Sequence, residues 1–150
     1  MNITHILYPT DFSEGSAAAF DYVKTLAKQY NAEITLIYAL DEIDKGKGWY
    51  VPHTSLDEFY KEMEEQAAKK LERCCYEELR DFKKVNRVIK KGAPYEVILN
   101  YAKEKGVDLI VMGTQTKSGM DFVFKSSVEK VIKKAECPVL CVKVPAGKTA

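Results

Sequence analysis

Three groups of side chains in this sequence have the types and spacing for chemistry. The first is Pro9-Thr10-Asp11, which closes the short apolar run His5-Ile6-Leu7-Tyr8. An acidic side chain at the carboxyl end of a strand can accept from a ribose hydroxyl or an adenine amine. Asp11 reads equally well as a turn residue or as part of a helix cap, and position alone does not separate the two. The second group lies in the polar stretch 113–127. There Thr114, Thr116, Ser118, Ser126 and Ser127 bring hydroxyl donors, and Lys117 and Lys125 bring charge. The stretch runs into a helix start, whose orphan N–H groups and positive dipole end suit a phosphate. An ordinary Ser/Thr-rich helix cap has the same composition.

The third group is the four cysteines, Cys74, Cys75, Cys137 and Cys141. Residues 1–9 lack the charged start and cleavage site of a secretory leader, so free thiols in a cytoplasmic chain are expected. Neighbouring residues on a helix point roughly 100° apart, which suits neither a Cys74–Cys75 disulfide nor a metal shared by them. Cys137 and Cys141 flank a strand-like Pro-Val-Leu segment and stand ~13 Å apart, too far to bridge. His5 and His53 have no partner at metal-ligand spacing. Buried structural thiols and no metal centre are the expectation.

The elements that must position these groups follow from periodicity. Ser13 is placed to cap a helix carrying Ala19, Phe20, Val23, Leu26, Ala27 and Tyr30, with Asn31 as a left-handed stop. Ile34-Thr35-Leu36-Ile37-Tyr38-Ala39-Leu40 is a strand apolar enough to be buried on both faces. Residues 41–54, with Gly46, Gly48, Trp49, Tyr50 and Pro52, read as an exposed loop. Ser55 and Glu58 form a capping box for a helix over 56–82, whose stripe is Phe59, Met63, Ala67, Leu71, Cys75 and Leu79. Such a helix would be ~40 Å long, so either it ends early or it protrudes. A short strand at 85–89 lies between the pairs Lys83-Lys84 and Lys90-Lys91. Pro94 opens the next helix, with Val97, Ile98, Tyr101 and Ala102 inward and Gly106 as its stop. Asp108-Leu109-Ile110-Val111-Met112 is a strand ending at Gly113, residues 113–126 are a loop, and a short helix holding Ser127, Val128, Val131, Ile132 and Ala135 precedes a last strand, residues 138–142. Strands alternating with helices argue a parallel α/β sheet with right-handed crossovers.

Composition narrows the classes. The chain has 150 residues, 46% hydrophobic and 30% charged, consistent with one folded domain over 1–150 and not with a disordered tail. Its 23 basic and 22 acidic residues give a net charge of +1, so no global field recruits nucleic acid or an anionic membrane. No apolar run reaches the ~20 residues of a membrane span.

The order Ile6-Leu7-Tyr8-Pro9-Thr10-Asp11-Phe12-Ser13, Gly92-Ala93-Pro94, Asp108-Leu109-Ile110-Val111-Met112-Gly113-Thr114, Ser127-Val128-Glu129-Lys130-Val131 and Cys137-Pro138-Val139-Leu140-Cys141-Val142 resembles the universal stress protein family along nearly the whole chain. The resemblance implies a Rossmann-like sheet, of the adenine nucleotide alpha hydrolase type, with five parallel strands in the order 3-2-1-4-5 and helices on both faces. It implies a homodimer formed through the last strand, here Val139, Leu140, Cys141 and Val142. It also implies ATP, with Mg, or another adenine nucleotide. Pro9, Thr10, Asp11 and Ala39 would then meet adenine and ribose, while Met112 and Gly113 begin the phosphate loop and Ser127 with Val128 finish it. The family's glycine motif, G-x-x-G, nine residues, then G-S or G-T, is kept here at Gly113 and Ser127 but has Thr116 and Ser126 in place of its other glycines. A β-branched residue resists positive φ and fills space near an anion. A regulatory stress-response protein is the reading this favours. The alternatives are a slow ATPase, and a module that recruits an unknown protein partner through the 41–54 loop and the long helix. A receiver domain is disfavoured, because the candidate third strand ends without an aspartate.

Overall fold

The computed structural model describes residues 1–41, 53–114 and 121–143, with the backbone alone at 53–55 and 121–126. Five strands form one parallel sheet in the order β3-β2-β1-β4-β5, as the resemblance implies. They are β1 (His5–Pro9), β2 (Glu33–Leu40), β3 (Val85–Lys91), β4 (Leu109–Gly113) and β5 (Val139–Val142). The helices are α1 (Glu14–Tyr30), α2 (His53–Arg73), α3 (Tyr76–Leu79), α4 (Pro94–Glu104) and α5 (Asp121–Lys134). Among the described residues no helix is long and apolar enough to cross a membrane.

Strand alternation divides the core into two layers. Ile6, Tyr8, Ile34, Leu36 and Val111 face Phe20 and Val23 of α1 and Leu71 and Leu79 of α2 and α3. Leu7, Ile37, Ile110 and Met112 face Val97 and Ile98 of α4 and Val128 and Val131 of α5. Each such aliphatic side chain, fully withdrawn from water, contributes roughly 1.5–3 kcal/mol. Ser13 caps α1, its side chain accepting from the Ser16 N–H, and Asn31 ends that helix at φ 53. Pro94 opens α4, and Gly106, at φ 60, follows its end.

Three expectations are corrected. The long helix does not run unbroken over 56–82. It begins at His53, so Ser55 lies in its first turn instead of capping it, and it ends at Arg73. Cys75 then takes a left-handed conformation at φ 59 and the short α3 follows. An unbroken helix of ~40 Å would overrun a sheet whose longest strand, eight residues, spans only about 26 Å. The break folds the chain back and sets Leu79 into the core, 4% exposed. Second, β3 continues to Lys91, with Lys90 and Lys91 in register with Ala39 and Leu40. Third, α5 starts at Asp121, so Ser126 and Ser127 lie in its second turn and not at its start. Their N–H groups are past the four orphan donors of a helix N-terminus. The loop expected at 41–54 lies largely outside the described residues, with Trp49 and Tyr50, as does the stretch holding Thr116, Lys117, Ser118 and Gly119.

Candidate functional site

Strand order reverses between β1 and β4, and the turn leaving β1 stands at that crevice. Thr10 is buried and fastened on three sides. Its N–H donates to the Ile37 carbonyl at 3.0 Å, its hydroxyl pairs with the Ser16 hydroxyl at 3.2 Å, and Oγ1 accepts from the Phe12 N–H at 3.0 Å. These bonds hold Phe12 at φ 65, a region that costs a bulky residue on the order of 1–3 kcal/mol. The Phe12 ring stacks on Tyr38, centroids 4.9 Å apart, and so ties the turn to the end of β2.

Asp11 uses one oxygen locally. Oδ1 accepts from the Ser13 N–H at 2.9 Å, and among the described residues Oδ2 has no protein donor. The turn-forming and ligand-accepting readings of Asp11 are therefore compatible, one oxygen for each. Its charge is felt by Tyr38, whose hydroxyl is pushed up chiefly by burial and then by Asp11 and Asp41.

A cavity of about 40 Å³ opens beside this turn, with Pro9, Thr10, Asp11 and Ala39 around it. Tyr38, Pro94, Val97 and Ile98 complete its wall. Four of the expected site residues are thus brought together, in an apolar slot with a carboxylate among its lining groups. Its helical wall comes from α4, which no local signal near Asp11 announces. Val97 and Ile98 read only as core from helical spacing. Packing of α4 across the end of β2 brings them into the wall of this cavity as well.

The other expected positions are placed differently. Met112 is fully buried beneath α4 and α5. Gly113 faces the first turn of α1, where a Cβ would lie 2.0 Å from the Gly15 carbonyl oxygen and 2.9 Å from the Ser16 nitrogen. Its lack of a side chain is required by that crossing, and its φ is not in the left-handed region. Ser127 and Val128 are buried, at 3% and 5% exposed. Thr116, and the side chain of Ser126, lie outside the described residues. The base end of the expected site is therefore assembled, and its phosphate end is in part not described.

On the other side of Thr10 lie Cys74 and Cys75, their Sγ atoms 3.6 Å apart. This corrects the expectation of diverging, buried side chains, since all four thiols are free and half-buried. The hydrogen bond with Cys75 lowers the Cys74 thiol to about 7, helped by the Thr10 hydroxyl and the Arg87 charge. Cys75 is held well above the usual thiol range by the same partnership and by burial. Among the described residues no three His, Cys, Asp or Glu side chains converge as a metal site would need.

Comparison with known proteins gives one consistent result. The model of the universal stress protein family matches residues 2–143. Universal stress protein MJ0577 of Methanocaldococcus jannaschii is 37% identical over 92% of this chain and 93% of its own length. The solved structure of MJ0577 superposes with a TM-score of 0.75, at 33% identity, over 97% of this chain and 99% of the other. UspA from Lactobacillus plantarum also superposes at 0.75, with 25% identity, over 95% and 99% of the two chains. A family protein from Arabidopsis thaliana, solved with AMP bound, shares the fold at a TM-score of 0.64 and 20% identity, over 98% and 95% of the chains. So does one from Archaeoglobus fulgidus in complex with dAMP, at 0.63 and 19%, over 95% and 100%.

Proposed function

This chain belongs to the universal stress protein family, and from that membership we propose that it is a regulatory adenine-nucleotide-binding protein, a homodimer that recognises base and ribose at the end of β1. The observation that carries the reading is Asp11, fixed by the Ser13 N–H with Oδ2 left over, beside an apolar slot closed by the small Ala39. Apolar walls suit a flat base, for which a slot of about 40 Å³ must widen, and a carboxylate oxygen accepts from a ribose hydroxyl or the adenine amine. The bound AMP and dAMP of the two fold relatives support the choice of ligand class. Of the residues expected at the phosphates, Gly113, Thr116 and Ser126 are the candidates that stand, since the side chains of Met112, Ser127 and Val128 are buried.

Thr116 and Ser126 replace glycines there, so the β- and γ-phosphates of a triphosphate gain little, and AMP binds about as well as Mg-ATP. A regulatory binding role follows from this, since hydrolysis needs a positioned water and charge stabilisation at the γ-phosphate. The dimer uses β5. Its exposed edge is Val139, Leu140 and Cys141, all half-buried in one chain and all apolar, whereas the opposite edge, β3, presents Asn86, Arg87, Lys90 and Lys91. An apolar edge strand needs a cover, and a second copy of the same strand supplies one.

The test is Asp11→Asn. Asparagine keeps an oxygen for the Ser13 N–H and puts a donor where the second acceptor stood. Affinity for AMP, measured by equilibrium dialysis, is expected to fall at least ~10-fold, as a hydrogen bond to a charged group contributes about 1.5–3 kcal/mol. The melting temperature should stay within a degree or two of the parent. Equal affinity would remove Asp11 from the site.

A further inference from the structure

The break between α2 and α3 does more than shorten a helix. On a continuous helix Cys74 and Cys75 would point roughly 100° apart. The left-handed conformation of Cys75 turns the two side chains together, with sulfurs 3.6 Å apart. Both thiols are half-buried, and they line a cavity of about 350 Å³ with Thr10, Ser13, Lys70 and Arg73.

The separation decides what such a pair is suited to. A disulfide ordinarily joins Cα atoms about 4.4–6.8 Å apart, while adjacent Cα atoms across a trans peptide are held near ~3.8 Å. Direct oxidation to a bridge is therefore strained. A single atom bonded to both sulfurs is not. With bonds of about 2.3 Å, the metal–thiolate length of zinc, it spans the observed gap at an angle of roughly 100°. A linear two-coordinate ion would need sulfurs about 4.6 Å apart on the same bond length. The geometry is that of a bent bridge, as at a pyramidal trivalent metalloid. Charge points the same way. Lys70 and Arg73 line the same cavity and, against the single carboxylate of Glu78 beside Cys75, oppose a bare divalent cation, but they do not oppose a neutral hydroxide. Glu78 stands beside Cys75 and Thr10 beside Cys74, but among the described residues no three His, Cys, Asp or Glu side chains converge, which matches an atom that brings its own third substituent.

We propose that Cys74 and Cys75 form a chelating site for a neutral trivalent metalloid, of the arsenous type, argued without the nucleotide reading although Thr10 lines both cavities. Thiolate sulfur is the soft ligand such an atom prefers. On binding, two sulfur–metalloid bonds replace two metalloid–oxygen bonds. Each of the two departing hydroxides leaves with one thiol proton, as two waters in all (one water when the probe carries a single oxide oxygen), and no electrons are transferred, so no oxidant is needed.

The probe is phenylarsine oxide, added to the reduced full-length protein and followed by free-thiol titration and thermal unfolding. One equivalent is expected to consume two of the four thiols. It should also raise the melting temperature, because a site assembled by the fold binds the folded state preferentially. Cys74→Ser and Cys75→Ser should each weaken binding on the order of 100-fold or more, since the second bond is then no longer intramolecular. Cys75→Gly suits the left-handed backbone, so it should fold and still lose the site. The Cys137→Ser, Cys141→Ser double variant should bind like the parent. Retained affinity in either single serine variant, loss of binding in the double variant, or an unchanged melting temperature with the probe bound would each overturn the proposal.

Discussion

At the scale of single residues, Asp11, Asp108 and Gly113 are held in place by different physics. Asp11 spends one oxygen on its own turn and lines the slot beside it. Asp108, at the opposite end of the sheet, spends its carboxylate on structure. Oδ2 accepts from the Thr4 hydroxyl at 2.7 Å and from the Thr4 and His5 N–H groups at 2.9 and 3.0 Å. The Thr4 hydroxyl, then those backbone groups, hold its carboxyl below the usual range. A folded-state pKa below the unfolded one means that the unfolded chain binds more protons across the interval. The stability gained is then full above the ordinary aspartate value of about 4, and is lost as pH falls through the folded value. Asp108→Ala is expected to cost on the order of 2 kcal/mol at neutral pH by urea unfolding. That cost should shrink when the comparison is repeated below pH ~3, and a constant difference would contradict the assignment. Gly113→Ala brings a methyl against the Gly15 carbonyl, where backbone on both sides must move. A loss of at least ~3 kcal/mol is expected, at the upper end for overpacking; a loss under ~1 kcal/mol would show that α1 can shift freely. Asp11 and its turn are legible in the sequence because the geometry is local. The crossing that requires Gly113 joins residues far apart in the chain, so sequence presents Gly113 only as a motif glycine.

At the scale of elements, every strand and four of the helices are legible as elements from periodicity and caps, though several bounds shift. Ser13, Asn31, Pro94 and Gly106 mark helix ends where the chain does turn. That the long helix ends early is one of the two outcomes its length allows, but the place of the break after Arg73 is not legible, since the stripe Ala67, Leu71, Cys75, Leu79 keeps perfect helical spacing through it. What ends α2 is the finite width of the sheet, a tertiary limit. The start of α5 is hidden for a different reason. Phe124, Val128 and Val131 have helical spacing, but the polar neighbours Lys125, Ser126 and Ser127 resemble a cap. The two sheet edges differ in chemistry, and that difference gives the element-scale prediction. Leu140→Lys places a charge on the apolar edge, as protected edges do. Sedimentation velocity should show the parent as a dimer and the variant as a monomer of unchanged secondary structure. A dimer that survives the substitution uses another surface.

At the scale of the whole molecule, topology gathers the residues proposed to meet the base. Parallel strands in the order β3-β2-β1-β4-β5 put the ends of β1 and β2 side by side, and α4 covers them. Pro9, Thr10, Asp11 and Ala39, separated by some thirty residues of sequence, share one slot for that reason. Family resemblance carries the strand order, which periodicity alone does not supply. On the proposed reading, the departure from the family pattern at Thr116 and Ser126 concerns only the phosphate end and would leave the nucleoside part as the main source of affinity. The measurement that bears on this most directly is calorimetric titration of the protein, stripped of carried-over nucleotide, with AMP and separately with Mg-ATP. One AMP per protomer is expected, with a Kd in the micromolar range, about −7 to −8 kcal/mol, and Mg-ATP within about tenfold of it. No heat from AMP up to millimolar concentration, with a second probe agreeing that nothing binds, would contradict nucleotide recognition at the end of β1.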